Sequence, residues 1–187
     1  DGEIIGSCSS LIINFDEYDD RHSWSDVTDD GYITNHNPEG YNMYGIEVMV
    51  HQEYRRMKVG QRLYEARKEI ARQFNLKSII IGGRIPNYHK HADEMRPREY
   101  VDAVSRHKIY DPVLTFQIMN GFTLMRINPN YLPDDTASGK YATLMEWNNV
   151  DYKPMSKRHF KTSYPVRICV VKYMMRAIES FDDLSNQ

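Results

Sequence analysis

Residues 44–81 constrain the fold more than any other part of the chain. Ile46, Val48 and Val50 alternate through a strand read over 44–50. A basic turn, 51–60, carries Arg55, Arg56, Lys58 and Gly60. Val59, Leu63, Ala66, Ile70 and Phe74 then recur at helical spacing, which places them on one face of a helix that Asn75 ends. Residues 77–81 are a short apolar run suited to a strand buried on both faces. Strand, turn, helix and returning strand make a βαβ-like unit, which dictates a mixed α/β class.

Around this unit the chain reads as strands and short helices. Residues 3–14 form a first strand with small side chains at Gly6 and Ser7, followed by a 15–42 loop too long for a hairpin and expected to be functional or partly mobile. Residues 82–110 are an insertion with helical character after Pro97. Asp111-Pro112 is an N-cap with a proline at the first helical position, and Asn120-Gly121 closes that helix. Residues 122–127 and 141–147 are two more strands, 148–164 a linker and 165–171 another strand. Asp1-Gly2 is a turn dipeptide at the very start, so the chain is expected to be an excerpt, N-terminally truncated.

Charge and composition exclude several function classes. The 187 residues carry 24 Lys+Arg against 26 Asp+Glu, a net −2, which gives no whole-chain case for nucleic acid as a partner. The charge is uneven: residues 15–30 hold seven acids against Arg21, a local −6, and the remainder carries +4. No apolar run approaches the roughly 20 residues that span a bilayer, and no signal-peptide pattern opens the chain, so no membrane partner and a cytoplasmic location are expected. Cys8 and Cys169 each sit in an apolar run and read as buried thiols rather than a disulfide.

The basic turn is the first candidate site. Free N–H groups at a helix start, with the helix dipole and three basic side chains beside them, suit a phosphate or pyrophosphate, and Gly60 allows close backbone approach. A solvated basic turn is the alternative reading of the same residues.

From Val48 to Leu63 the sequence resembles the signature of the GNAT acyltransferase superfamily. That signature is an apolar strand end, a loop of the form Arg/Gln-x-x-Gly-x-Gly/Ala, and a helix. Here the loop reads Arg55-x-x-Lys58-x-Gly60, and Asp111 to Phe122 matches the family's short helix ending in Gly-Phe. The strand pair ending Leu144-Met145-Glu146-Trp147 also fits, so the resemblance covers roughly residues 1–149. It implies a mixed, mostly antiparallel central sheet flanked by helices, with acetyl-CoA as co-substrate, no metal, and transfer of the acyl group to an amine. By position, Val48, Met49 and Val50 would hold the pantetheine arm through their backbones. Arg55, Arg56, Met57, Lys58, Val59, Gly60 and Gln61 would cradle the pyrophosphate.

Two residues depart from the family pattern. Lys58 stands where the loop's first glycine is usual, at about 1 kcal/mol if that backbone is left-handed. Gln117 stands where many members carry a Tyr acid that protonates the leaving thiolate, and an amide is no acid. Phe116 beside it reads as core. Glu47 is the carboxylate best placed to take the acceptor's proton, or else a solvated strand residue, and Tyr44 is a candidate for lining the acceptor site. The acidic 15–30 loop either attracts a cationic amine at the acceptor entrance or is simply solvated. His89-x-His91 lacks the further ligands a metal site needs, and its segment suits an acceptor-site lid better.

Residues 164–187 resemble the opening strand of the nitrilase, or carbon-nitrogen hydrolase, family. The implied organisation is a GNAT-like domain over 1–149, a linker over 150–163, and the start of a hydrolase in cis whose catalytic set lies beyond Gln187. The expected function is amine acylation. Its rival is an acyl-CoA-binding module with little turnover that serves the attached hydrolase.

Overall fold

A computed structural model describes residues 3–154 and 171–176. Its sheet orders six strands as β4-β5-β3-β2-β1-β6. The strands are β1 Ile4–Ile13, β2 Asn42–Val50, β3 Ser78–Arg84, β4 Thr123–Asn128, β5 Ala142–Asn148 and β6 Val171–Arg176. The β2–β3 pair is parallel and the other pairs are antiparallel. Between β2 and β3 runs α2, Val59–Gln73, which completes the βαβ crossover. The remaining helices are α1 Trp24–Thr28, α3 Pro97–Ser105 and α4 Pro112–Met119.

Local chemistry explains the boundaries. Asp111 accepts from the amides of Val113 and Leu114 and so caps α4, with Pro112 at its first position. Pro97 opens α3 in the same way. Two hydrophobic layers sandwich the sheet. Helices α2, α3 and α4 bury Tyr64, Ala71, Tyr100, Val101, Val104 and Leu114 against Ile79, Ile81 and Met43. The opposite face buries Leu11, Ile13, Tyr44, Ile80 and Leu144 under Val27, Phe15 and Tyr18.

The first half of the 15–42 segment packs as a cover on the sheet, through Phe15, Tyr18 and Val27. A capping box at Ser23 and Asp26 starts α1, and Val27 and Thr28 are buried. The 82–110 insertion is anchored to the core by Ile85, Tyr88, Tyr100, Val101 and Val104, with Tyr88 edge-on to Tyr100 and Tyr141. His89 Nδ1 donates to the Pro86 carbonyl and His91 stacks on Tyr100.

Two features of pattern differ from expectation. Ile46 packs with Tyr44 on one face, whereas Val48 and Val50 pack against α2 on the other. The register to β1 shifts between Ser9 and Ser10, opposite Gly45 and Glu47, so one extra residue on β2 reverses the alternation. On α2 the buried stripe is Val59, Leu63, Tyr64, Arg67, Lys68 and Ala71, with Ala66, Ile70 and Phe74 at its margin. Long basic stems at 67 and 68 cover apolar surface that periodicity assigns to aliphatic residues.

Of the expected 165–171 strand only Val171 is among the described residues, and Cys169 lies outside them. The described strand β6 adds to the β1 edge of the same sheet.

Candidate acyl-CoA cleft

Strands β2 and β3 pair only over Asn42–Gly45 and Ser78–Ile81. Beyond that point β2 runs on to Val50 beside β1 while β3 runs on to Arg84 beside β5, and the two part. Backbone groups that would have paired now face a cleft of about 1010 Å³. Glycines line its throat: a Cβ on Gly82 would overlap the Tyr131 ring, and one on Gly83 would overlap the Gln117 amide.

Arg67 holds this opening in shape. Its side chain is 2% exposed, and Nη2 donates to the carbonyls of Ser9 at 3.1 Å and Glu47 at 2.9 Å, tying together the two strands at the bulge. Its guanidinium lies 5.4 Å from the Tyr64 ring centroid, and it makes no salt bridge among the described residues. Charged hydrogen bonds of this kind are stronger than neutral ones, which suits a staple across a bulge.

At the outer end of the cleft stands the N-terminus of α2. Its N-cap, Lys58, adopts φ 60°, ψ 10° and offers no side-chain cap, and Arg56 is also left-handed at φ 67°. Only at Arg62, which donates to the Lys58 carbonyl, do helix bonds begin, and the amides of residues 56–61 have no backbone partner among the described residues. Arg55, Arg56 and Lys58 are exposed around them and make no ion pair among the described residues. Orphan amides, a positive helix end and free cations fit a diphosphate, while the parted strands fit an extended amide-bearing arm.

Most of the residues expected at a cofactor site are brought together here. Val48, Val50, Arg55, Arg56, Lys58, Val59, Gly60 and Gln61 all line the cleft. Met49 and Met57, 58% and 40% exposed, are not among the residues lining the cleft. Glu47 lines the cleft with its carboxylate accepting from Ser9 Oγ at 3.1 Å. Tyr44 does not line it: the ring is fully buried, and its hydroxyl meets the cleft only through Tyr131, 2.7 Å away. The acidic residues of 15–30 are also absent from the lining, and Trp24 alone represents that segment. From the 82–110 insertion Tyr110 and the end of β3 reach the cleft, whereas the expected lid around His89 and His91 does not line it.

Three functional candidates escape sequence reasoning. Tyr131 is held between β4 and β5 by backbone bonds to Lys140 and Trp24, and burial pushes its hydroxyl well above the ordinary phenol range. Tyr64 lines the cleft beside Gln117; burial raises its pKa, while Arg67 and Gln117 pull it back. Arg84 donates from Nε and Nη2 to Asp135 at 2.7 and 2.5 Å, which holds the Asp135 carboxyl below its usual range. The glycines opposite Tyr131 and Gln117 are the sole sequence trace of these contacts. Among the described residues no group of three His, Cys, Asp or Glu could hold a metal, and no helix is long and apolar enough to cross a membrane.

Comparisons with known proteins agree with this geometry. The Acetyltransferase (GNAT) family model matches residues 1–92. The chain is 39% identical over 155 residues to an uncharacterized N-acetyltransferase, YkwB, of Bacillus subtilis (strain 168), covering 83% of this chain and 68% of that protein. It is 76% identical over 188 residues to the probable hydrolase YhcX of the same organism, matching 100% of this chain but 37% of that longer protein. Among solved structures, the GphF GNAT-like decarboxylase in complex with isobutyryl-CoA superposes with a TM-score of 0.66 at 20% identity, covering 77% of this chain and 72% of that one. The loading GNATL domain of CurA from Lyngbya majuscula gives 0.67 at 21% identity, covering 78% and 71%. At these identities the structural likeness is one of fold.

Proposed function

Because the chain belongs to the GNAT acetyltransferase family, we propose that it binds acetyl-CoA in the cleft between β2 and β3 and transfers the acetyl group to an amine. The observation that carries this reading is the parting of β2 from β3 beyond Gly45 and Ile81, leading straight to the uncapped basic start of α2. The pantetheine arm would lie along Val48, Met49 and Val50, and the diphosphate would take the amides from Arg56 to Gln61 with Arg55, Arg56 and Lys58 around it.

The chemistry asks three things of the protein. An ammonium acceptor must lose one proton before it attacks the thioester carbonyl, and a second as the amide forms. The sulfur must leave with a proton or as thiolate. Glu47 takes the first proton, being the carboxylate on the cleft wall. Tyr64 replaces the usual acid: its phenol lines the cleft beside Gln117, where it can donate to the departing sulfur. Tyr44 acts at one remove, through Tyr131.

The relative named as a hydrolase, whose length this chain spans by 37%, supports a further proposal that residues 164–187 open a carbon-nitrogen hydrolase unit in cis. Calorimetric titration of the intact parent protein with acetyl-CoA and CoA, followed by a screen of amines for thiol release, tests the acyltransferase. Micromolar binding with amine-dependent thiol release is expected. Absence of acetyl-CoA binding would overturn it, and binding with no release for any amine would leave a ligand-sensing module for the attached hydrolase.

A further inference from the structure

Behind the cleft lies a buried chain of polar groups that the acyl-transfer scheme above does not fully use. Tyr131 borders the cleft, its hydroxyl 2.7 Å from the hydroxyl of Tyr44, which lies 3.2 Å from Nε2 of His22. Nδ1 of His22 lies 2.9 Å from the backbone carbonyl of Asp19. All three side chains are at most 2% exposed.

The direction of every hydrogen bond in this chain follows from its far end. A carbonyl oxygen only accepts, so Nδ1 of neutral His22 must carry the hydrogen, and Nε2 must then be the acceptor. Tyr44 accordingly donates its O–H to His22, and its oxygen accepts from Tyr131. Tyr131 therefore turns its hydrogen inward and presents a lone pair to the cleft.

We propose that Tyr131, Tyr44 and His22 form a proton relay that removes the second proton of the acceptor amine from the cleft, an inference that rests on the acyl-transfer reading. As the new C–N bond forms and the C–S bond breaks, the amine N–H passes to the Tyr131 oxygen. The Tyr131 hydrogen moves to Tyr44, and the Tyr44 hydrogen moves to Nε2 of His22. One proton enters and one imidazolium results, with both tyrosines neutral before and after. Burial holds both phenols well above their ordinary pKa, which disfavours a tyrosinate and makes the transfers concerted.

The surroundings of His22 keep its imidazole neutral at rest, with Asp19 and Asp26 within electrostatic reach when it takes a proton. Phe15, Tyr18, Tyr44 and Tyr131 ring the imidazole, with centroids 5.4 to 6.2 Å away, and aromatic faces and edges shield it from water. Asp19 and Asp26 favour its protonation from the 15–28 segment, while Arg126 on β4 opposes it and is itself paired with Asp20 at 2.6 Å. Desolvation is the largest influence and lowers the His22 pKa, so the imidazole is neutral and ready to accept near pH 7. Asn128, also on β4, donates from Nδ2 to the His22 carbonyl at 3.1 Å and fixes the residue in place. Glu47 and this relay thus divide two protons between two routes.

Of the acidic residues of 15–30, Asp19 and Asp26 gain a use here, acting behind the site on the relay's terminus rather than at its entrance.

Two measurements on the full chain decide the matter. ¹⁵N NMR of the imidazole of His22 without ligand should show the Nδ1-protonated tautomer; an Nε2-protonated ring would overturn the relay. Tyr44→Phe keeps the ring and removes the middle hydroxyl. With acetyl-CoA and an amine from the screen, wild type should give a curved proton inventory in H₂O/D₂O mixtures. The variant should give a linear one, with kcat down about 100-fold and KM for acetyl-CoA unchanged. Wild-type kcat and an unchanged inventory in Tyr44→Phe would overturn the relay alone. No acetyl-CoA binding by wild type, or binding without thiol release, would overturn the transferase reading and the relay's role with it.

Discussion

Strands β2 and β3 are neighbours twice over, and the two halves of their course differ in everything but sequence style. From Asn42 to Gly45 the pair is hydrogen-bonded, and the residues are buried under helices on one face and the 15–33 segment on the other. From Ile46 to Val50 the pairing to β3 is gone, side chains alternate between half-buried and exposed, and the backbone looks into a cleft. The first half is where folding free energy is concentrated. The second is where unsatisfied backbone groups are kept for a ligand. Arg67 and the one-residue bulge mark the boundary, so stability and binding should respond to mutation on different sides of Gly45.

The sharpest way to break that division is at the boundary and the paired half. Ile80→Ala, at a fully buried position, should cost about 3 kcal/mol of unfolding free energy in urea titrations. Substitution of Met49, exposed on the open half, should stay within about 0.5 kcal/mol. Arg67→Met leaves the Ser9 and Glu47 carbonyls without their donor and should cost about 2 kcal/mol, with acetyl-CoA affinity lowered as well because the bulge loosens. On the open half alone, the double change Arg55→Ala, Arg56→Ala should weaken CoA binding by about 2 kcal/mol in calorimetry, increasingly so at low salt, with urea stability unchanged.

A smaller effect follows from His22. Its pKa is lowered in the folded chain, so the unfolded state binds more protons near the ordinary histidine pKa, and stability falls as pH drops through that value. Unfolding measured between pH 7.5 and 5.5 should show the loss, and His22→Gln should flatten it. Lys58→Gly relieves a left-handed lysine and should raise stability by about 1 kcal/mol. Because the cradle uses the amide of residue 58, that change should alter CoA affinity less than the arginine pair does.

The readable and the unreadable parts of the chain separate along similar lines. Local rules reach the βαβ crossover, the Asp111-Pro112 start of α4 and the uncapped turn at 55–60, because propensity, periodicity and caps act over a few residues. The bulge is not legible, since it depends on how Ser9 and Ser10 sit opposite Gly45 and Glu47, and it inverts the facing of Val48 relative to Ile46. Arg67 reads as a solvated helix position until its two carbonyl partners on different strands are known. Tyr131, Tyr44 and His22 are separated by 87 and 22 residues, and no pattern in the sequence pairs them. Tertiary assembly also explains why Tyr44, named from its closeness to the cofactor strand, lies one hydroxyl behind the site.

The bare start of α2 has a consequence for the protein's life in the cell. Since no side chain among the described residues closes that helix end, the acyl-CoA of the proposed reading would itself be the cap and would add to the stability of the fold. At a hundredfold excess over its dissociation constant such a ligand adds about 2.7 kcal/mol to the folded state. On the proposed reading, resistance of this domain to proteolysis should rise and fall with the acyl-CoA concentration.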